Sequence, residues 1–321
     1  MSGSFKRIDY SLRPAKHAER RMLCDIFRRL RPFGRVENYV YVGFGSIWFS
    51  DFMLMHRSLG IKDMISIEHS IESRDRIEDN KPFRIPVDYR KSSEALPDLD
   101  WNRKQYIWLD YDDPLAPDML LDMRTVARRA SSGTVLAVSV QCTKADQAVF
   151  SERSSEGQPT SLDNFSTVFG RQRIPHGTTS EQLYGWQFGT LSRELLLQEI
   201  QSELSTRNSD PDASKIVFRS ICDIEYEDGA KMTTLVGIFH TEDDQQLVDQ
   251  CHFEALDFLP IESGPVRVTV PKLTLREFKK LESQLPLQEG EELVLGTIPL
   301  REARRFAAMY RYFPSFAVLE G

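Results

Sequence analysis

Residues that build metal and disulfide motifs are scarce in this chain of 321 residues. The four cysteines lie far apart, at positions 24, 142, 222 and 251, and no CxxC pair occurs. This spacing excludes a zinc knuckle and argues against a disulfide scaffold, so we expect a reducing compartment. The six histidines show no HxH or HxxxH spacing, and neither a GxSxG turn nor a Walker loop is present.

Long apolar runs are also missing. No run approaches the roughly 18 residues that a membrane-spanning helix needs, and the first seven residues contain no apolar stretch of the signal-peptide type. We therefore expect a cytoplasmic protein without membrane association. Hydrophobic residues still make up 40% of the chain, which is enough for a substantial core.

The chain also lacks an overall positive charge. Its net charge is −7, and this value alone argues against a nucleic-acid-binding protein. The charge is unevenly distributed, however. Residues 1–35 carry ten Lys and Arg against three acids, whereas residues 36–263 carry 22 against 38. A basic head on an acidic body can point to an anionic partner, so a nucleic-acid acceptor stays open.

The first half of the chain shows a regular alternation of elements. Apolar residues at helical spacing predict an N-terminal helix over 14–31 with one buried stripe. We then predict strands over 37–45, 64–68, 83–87, 105–110 and 133–141, with helices over 47–59, 71–80 and 117–130. This order predicts an α/β fold in which a parallel sheet has helices on both faces.

The second half departs from that alternation. Residues 142–185 are rich in Ser, Thr, Gly and Gln, and a loop of this length is usually functional or disordered. After a helix over 191–204, two β-rich runs at 215–226 and 232–240 flank an Asp-Gly pair, which is a strong hairpin pattern. Helices over 275–285 and 300–312 are predicted in the tail.

Two features at the ends of the first two strands predict a nucleotide site. The turn Gly43-Phe44-Gly45-Ser46 precedes a helix, so its backbone can approach a ligand closely and the helix offers free N–H groups. Glu68 ends the second strand, 23 residues after Gly45, where a carboxylate can accept both ribose hydroxyls. A tight turn and an exposed strand-end acid are the alternatives, and the joint spacing favours the site.

Acids crowd the end of the fourth strand, in the segment Asp110-Tyr111-Asp112-Asp113. Ligands of open parallel sheets bind outside the carboxyl ends of the strands, so Asp110, Tyr111 and Asp112 are candidate catalytic residues. One alternative is that Asp112 or Asp113 caps a helix. Three acids in four residues can also hold a divalent cation. The fifth strand ends in an amide, not an acid, so we rank a metal below a metal-free site.

Cations provide further candidates. Lys16 and Arg20 lie four residues apart and share a helix face, and with Arg13 they can bind a phosphate or carboxylate of substrate or cofactor. The alternative is a solvent-exposed charged face, which we favour for the other arginines of this helix. Within 142–185, Arg171 and His176 are candidate substrate contacts, and a disordered surface loop is the alternative.

These features together resemble class I S-adenosylmethionine-dependent methyltransferases over roughly residues 36–240. The shared pattern is the glycine turn, the acid after the second strand, the βα steps and the closing antiparallel hairpin. Residues 10–20 and Asn-Lys-Pro-Phe at 80–83 also resemble uncharacterised bacterial methyltransferase-like proteins. The resemblance implies a Rossmann-like, mostly parallel seven-stranded sheet. The implied organisation is a basic helix at 1–35, a core at 36–240 with a lid at 142–185, and an extension at 241–321.

The resemblance also implies S-adenosylmethionine as cofactor. Its methionine part would lie against the glycine turn, its ribose on Glu68 and its adenine beside His69. The end of the fourth strand would face the transferred methyl group, where Asp110 and Tyr111 position the acceptor and take its proton. The chain departs from the Asp/Asn-Pro-Pro-aromatic motif of some members, so their grip on a planar amine is not implied.

Three functions compete at this point. The first, which we predict, is methyl transfer to a hydroxyl or amine of a small molecule or nucleic acid. The second is a non-catalytic subunit of a bacterial defence-type complex that binds a nucleotide or a protein partner, and the unusual fourth-strand motif favours it. The third is a dinucleotide oxidoreductase, which the hairpin and Trp48 in place of a third glycine disfavour.

Overall fold

The computed structural model describes residues 13–150, 159–210, 214–260 and 264–314. Its centre is a sheet whose strands are β1 (Val40–Gly43), β2 (Asp63–Ile67), β3 (Val87–Asp88), β4 (Gln105–Pro114), β5 (Val135–Gln141), β6 (Ile216–Asp228), β7 (Ala230–Thr241) and β8 (Val266–Val268). Their order across the sheet is β3-β2-β1-β4-β5-β7-β6-β8. Neighbours among β1 to β5 pair in parallel, and β7 lies antiparallel between β5 and β6.

This topology confirms the predicted mostly parallel sheet with a closing antiparallel hairpin. The predicted number of seven strands is wrong, because β8 from the tail pairs in parallel with β6. β8 has only three residues, too few for an alternating pattern to be read from the sequence. Gly229 joins β6 to β7 with a φ of 88°, the left-handed backbone that makes glycine suitable at this turn.

Helices cover both faces of the sheet. They are α1 (Pro14–Arg28), α2 (Ser50–Leu59), α3 (Arg74–Asp79), α4 (Ser92–Ala95), α5 (Pro117–Arg129), α6 (Ser161–Phe169), α7 (Gly185–Arg207), α8 (Gln245–Gln250), α9 (Leu275–Glu282) and α10 (Leu300–Met309). Along the central strands, Tyr41 and Trp108 pack into one core with α1, α2 and the last three helices. Val42 and Leu109 pack into a second core with α5, α6 and α7.

Two local predictions are corrected. β4 continues to Pro114 and α5 begins at Pro117 after Ala116, so neither Asp112 nor Asp113 caps a helix. Residues 142–150 and 159–185 form a series of helical turns and α6, so a disordered loop is wrong for these described residues. Phe165 of α6 is fully buried in the second core, and this apolar anchor outweighs the polar composition of the segment.

Candidate active site

The carboxyl ends of three neighbouring strands meet α1 at one edge of the sheet. β1 ends at Gly43, β2 ends immediately before Glu68, and β4 carries Asp110 two residues beyond Trp108, where its pairing with β1 ends. Lys16 at the start of α1 contacts Asp110, so the N-terminal helix lies over this edge. Ligands of open α/β sheets bind at such an edge, and the predicted residues of the glycine turn, β2 and β4 all lie there.

The turn after β1 has an unusual backbone. Ser46 has a φ of 50° and Phe49 a φ of 46°, in the left-handed region that L-residues rarely adopt. The Gly45 N–H donates to the Ser66 Oγ at 3.0 Å, which ties the turn to β2. A Cβ on Gly45 would collide with the Phe49 ring and come within 2.8 Å of the Ser66 Oγ. Only glycine fits at position 45 in this packing.

Glu68 is bonded to the same turn. Its Oε1 accepts the Ser46 N–H at 2.5 Å and the Ser66 hydroxyl at 3.3 Å. Its Oε2 has no hydrogen-bond partner among the described residues. The residue is 9% exposed, and this burial raises the pKa of Glu68 to about 7, although the Ser46 and Ser66 hydrogen bonds act in the opposite direction. The neighbouring His69 is exposed.

Asp110 is held by a lysine instead of backbone donors. The Lys16 Nζ lies 2.6 Å from the Asp110 Oδ1 and 2.7 Å from the Glu19 Oε2. The same ammonium lies 4.4 Å from the centre of the Trp108 ring, a cation–π contact. Lys16 is 1% exposed, whereas the Asp110 side chain is 22% exposed. Asp110 is therefore the member of this cluster that reaches accessible space.

The sheet supports the buried end of this cluster. The Thr234 hydroxyl donates to Glu19, and the Ser139 hydroxyl lies 2.8 Å from that of Thr234. Burial raises the pKa of Glu19, while the nearby Lys16 ammonium lowers it. The Lys16 backbone N–H donates to the Asp228 carboxylate at 2.8 Å. These contacts fix the first turn of α1 against β5, β6 and β7.

The environment of the Tyr111 hydroxyl does not suit it to accept a proton. Its hydroxyl donates to the buried Asp122 Oδ2 at 2.5 Å, and burial raises the pKa of Tyr111 well above its ordinary value. Its ring contacts the ring of Phe44 in the glycine turn, edge to face at 5.3 Å between centroids. Tyr111 can therefore position the turn, but it is poorly suited to accept a proton. Asp112 is exposed at the end of β4.

The predicted cations of α1 fall into different environments. Lys16 and Arg20 are buried, so the alternative of a solvent-exposed face is wrong for these two. Lys16 is paired with two acids, whereas Arg20 makes no hydrogen bond or ion pair with any described residue. Arg13 is half-buried immediately before the helix. The exposed Arg21 and Arg28 agree with the solvent-exposed alternative.

The structure does not bring the other predicted substrate contacts to this edge. Arg171 and His176 are exposed, and they line a groove with Glu194 and Gln198 of α7. None of the residues that line this groove belongs to the glycine turn or to the ends of β2 and β4. A role for Arg171 and His176 in binding an acceptor stays a prediction.

Sequence reasoning missed three buried acids at this edge: Glu19, Asp51 and Asp122. Each lies on a helix, at a position where neighbouring turns supply apolar side chains to the core. Asp51 accepts the Tyr41 hydroxyl at 2.5 Å. An acid on the apolar face of a predicted helix is the pattern that would have identified them, because buried carboxylates require specific partners.

The described ranges lack both a metal-binding cluster and a membrane-spanning helix. No cluster of three His, Cys, Asp or Glu side chains with metal-binding geometry occurs in them. No helix in them is both long and apolar enough to cross a membrane.

Comparison with known proteins places these observations in a family. A family model described as "Putative O-methyltransferase" matches residues 8–321. None of the curated proteins matches the sequence. A solved sugar N-methyltransferase from Streptoalloteichus sp. ATCC 53650 is similar at 16% identity, over 39% of this chain and 49% of that one, with a TM-score of 0.30. The present chain thus spans about half the length of that structure.

Two further solved structures are similar over more of their length. An S-adenosylmethionine-dependent methyltransferase from Clostridium acetobutylicum ATCC 824 shows 10% identity over 73% of this chain and 93% of that one, with a TM-score of 0.39. A structure described as a "putative S-adenosylmethionine dependent methyltransferase" from Listeria monocytogenes shows 9% identity over 67% of this chain and 98% of that one, with a TM-score of 0.37.

Proposed function

The chain belongs to this O-methyltransferase family, and on that premise we propose that it transfers a methyl group from S-adenosylmethionine to a hydroxyl or amine. The observation that carries the proposal is the pair of carboxylates at one sheet edge. Glu68 follows β2 beside the glycine turn, where a carboxylate can accept ribose hydroxyls, and Asp110 reaches accessible space from the neighbouring part of the edge. The match over residues 8–321 supports it.

The residues present fit the cofactor. The Glu68 Oε1 is occupied by the turn, while its Oε2 has no partner among the described residues and can accept a ribose hydroxyl. The turn is held in this conformation by close packing at Gly45 against Phe49 and Ser66, and it lies directly before the helix at the ligand-binding edge of the sheet. His69, exposed beside Glu68, is proposed to lie along the adenine.

Bound S-adenosylmethionine supplies an electrophilic methyl group on a sulfonium. The chain must hold the acceptor in line and take its proton. Asp110 has the geometry for the second task, because its Oδ1 is fixed by Lys16 and its Oδ2 has no partner among the described residues. Lys16 acts as a positioning residue that aims this carboxylate, and Tyr111 positions the glycine turn through Phe44.

A second candidate function has an observation in its favour. The Ser46 N–H and the Asp110 carboxylate are both engaged by protein groups, Glu68 and Lys16. Internal engagement of these two candidate ligand-binding groups suits a non-catalytic subunit that keeps the fold. Such a subunit would bind a nucleotide or a protein partner without turnover.

Calorimetric titration with S-adenosylmethionine and with NAD tests the proposal. We expect the wild type to bind S-adenosylmethionine, and Glu68→Ala to weaken this binding by roughly 10-fold or more, the cost of losing hydrogen bonds to a carboxylate. Glu72→Ala is the matched control, since Glu72 is an exposed acid four residues further along. Absence of S-adenosylmethionine binding by the wild type would contradict methyl transfer and favour the non-catalytic subunit.

The acceptor class needs a separate experiment. Cell extract is fractionated into small molecules, RNA and DNA, and each fraction is incubated with protein and methyl-labelled S-adenosylmethionine. We expect label in one fraction, absent with Asp110→Asn. A nucleic-acid acceptor would also show binding that weakens steeply with salt, because phosphate contacts release counterions.

A further inference from the structure

Arg20 is a buried cation without a partner among the described residues. It lies one turn after Lys16 on α1 and is 7% exposed, yet it makes no hydrogen bond or ion pair with any described residue. Its Nε is enclosed and has no hydrogen-bond acceptor. A guanidinium stays charged at every relevant pH, and buried charges in proteins are normally paired.

The acids around Arg20 contact other groups. Asp51 acts on Arg20 electrostatically, but it accepts the Tyr41 hydroxyl at 2.5 Å and lies outside ion-pair distance of the guanidinium. Burial raises the pKa of Asp51, although the nearby Arg20 charge acts in the opposite direction. Glu19 and Asp110 share the Lys16 ammonium. No acid among the described residues therefore forms a direct ion pair with Arg20.

The guanidinium is also open to a ligand on one side. Its two terminal nitrogens, like the Nε, lack hydrogen-bond partners among the described residues, but only the Nε is fully enclosed. The terminal nitrogens thus meet accessible space while the rest of the side chain is held in the protein. A guanidinium exposed in this way can bind a carboxylate through two parallel hydrogen bonds.

We propose that Arg20 binds the carboxylate of a ligand at the α1-covered sheet edge. The inference rests on the proposed function, which supplies two sources for this group: the amino-acid end of the cofactor and an acidic acceptor. A carboxylate is favoured over a phosphate by charge. Glu19, Asp51 and Asp110 already outnumber the cations Lys16 and Arg20 at this edge, so the second negative charge of a phosphate dianion would add repulsion that a carboxylate monoanion does not.

Calorimetry with two nucleosides distinguishes the sources. S-adenosylhomocysteine carries the amino-acid carboxylate, whereas methylthioadenosine lacks it. If the cofactor is the source, Arg20→Met weakens S-adenosylhomocysteine binding by roughly 10- to 100-fold, as expected for hydrogen bonds to a charged group, and leaves methylthioadenosine unchanged. Arg20→Lys falls between, because an ammonium cannot form the fork. Arg21→Met, on the exposed side of α1, is the control.

A second arm tests the acceptor as source. If S-adenosylhomocysteine affinity is unchanged in Arg20→Met, benzoate is titrated into the S-adenosylhomocysteine-loaded wild type and variant. Benzoate binding that is lost in Arg20→Met supports an acidic acceptor. Should the wild type bind neither nucleoside, the proposed function fails, and benzoate titration of the protein alone still tests Arg20.

Thermal unfolding of the ligand-free variants shows whether a loss of ligand binding results from a loss of stability. Replacing an unpaired buried charge by Met should leave the unfolding temperature unchanged or raise it. The proposal is overturned if Arg20→Met changes neither ligand's binding, or weakens both nucleosides equally. A lowered unfolding temperature with unchanged affinities would likewise overturn it, because Arg20 would then act as a structural ion-pair partner.

Discussion

Glu68 and Asp110 lie at the same edge of the same sheet, but the protein treats the two carboxylates differently. Glu68 accepts hydrogen bonds from uncharged groups of the adjacent turn and strand, all within 22 residues of it. Asp110 is paired with a cation 94 residues away in the sequence. Burial raises the pKa of Glu68 to about 7, whereas Asp110 keeps an ammonium at 2.6 Å.

The difference indicates a division of tasks. A carboxylate without a fixed cation can share its charge with a neutral ligand hydroxyl, which suits a ribose. A carboxylate aimed by a lysine keeps one oxygen in place and presents the other, which suits proton transfer at a set position. Substitutions at each residue should therefore affect different measurements.

The largest effect is expected from Asp110→Asn. An amide cannot take the acceptor's proton, so kcat should fall by roughly 10²- to 10⁴-fold, while S-adenosylhomocysteine affinity stays within about twofold. The fold should be kept, because Lys16 remains paired with Glu19. Methyl transfer to the labelled fraction is the measurement, and Asp113→Asn on the exposed end of β4 is the control. Equal loss of binding and turnover would show that the two carboxylates do not differ in task.

Lys16→Met should have the next largest effect, on stability. It leaves Glu19 and Asp110 without their shared cation, and breaking such a buried pair costs about 3–5 kcal/mol. Urea unfolding of Lys16→Met and of the exposed control Arg21→Met measures the loss. The double variant Lys16→Met/Glu19→Gln should recover part of it, since one buried charge is removed. No recovery would contradict the charge argument.

These two carboxylates also show how far sequence reasoning reaches. The position of Glu68 beside the glycine turn was predictable, because β1 and β2 are parallel neighbours and their carboxyl ends must meet. The Lys16–Asp110 pair was not, because it depends on how α1 docks across the sheet. Helical spacing placed Lys16 and Arg20 on one face, but only tertiary packing separates a paired cation from an unpaired one.

The polar composition of the segment 142–185 gave a wrong indication of a disordered loop for a related reason. Its many polar residues suggested a loop, yet Phe165 and Phe169, four residues apart, anchor α6 in the core. β8 escaped prediction because three residues carry no readable period. The sequence thus predicts elements with long repeats and local turns well, and it predicts poorly those that depend on distant contacts.

Glu68→Gln sharpens the comparison through pH dependence. With a folded-state pKa of about 7 against an ordinary value of 4.5, the folded protein binds this proton more tightly than the unfolded chain. The stability contributed is complete below pH about 4.5 and is lost as pH rises through about 7. Each pKa unit corresponds to about 1.4 kcal/mol, so the full effect is a few kcal/mol at most.

Gln still accepts the Ser46 N–H but cannot ionise, so the variant should be more stable than the wild type at pH 8 and nearly equal to it at pH 4. Urea unfolding at both pH values measures this, with Glu72→Gln as the exposed control. A parallel shift of both curves would contradict the raised pKa. Ribose binding should weaken in the same variant, because an amide oxygen is the poorer acceptor.

The smallest effect concerns the link between the two carboxylate environments. Tyr111 follows Asp110 in β4, and its ring contacts Phe44 in the turn that binds Glu68. A double-mutant cycle of Phe44→Leu and Tyr111→Leu should give a coupling energy of about 0.5–1.5 kcal/mol in unfolding free energy. Tyr111→Phe, which keeps the ring and removes the hydrogen bond to Asp122, separates the aromatic contact from that bond.

If the aromatic contact also sets the turn, the coupling appears in S-adenosylhomocysteine affinity as well. Coupling in stability alone would mean that the two carboxylates act independently, and no coupling at all would contradict the contact itself.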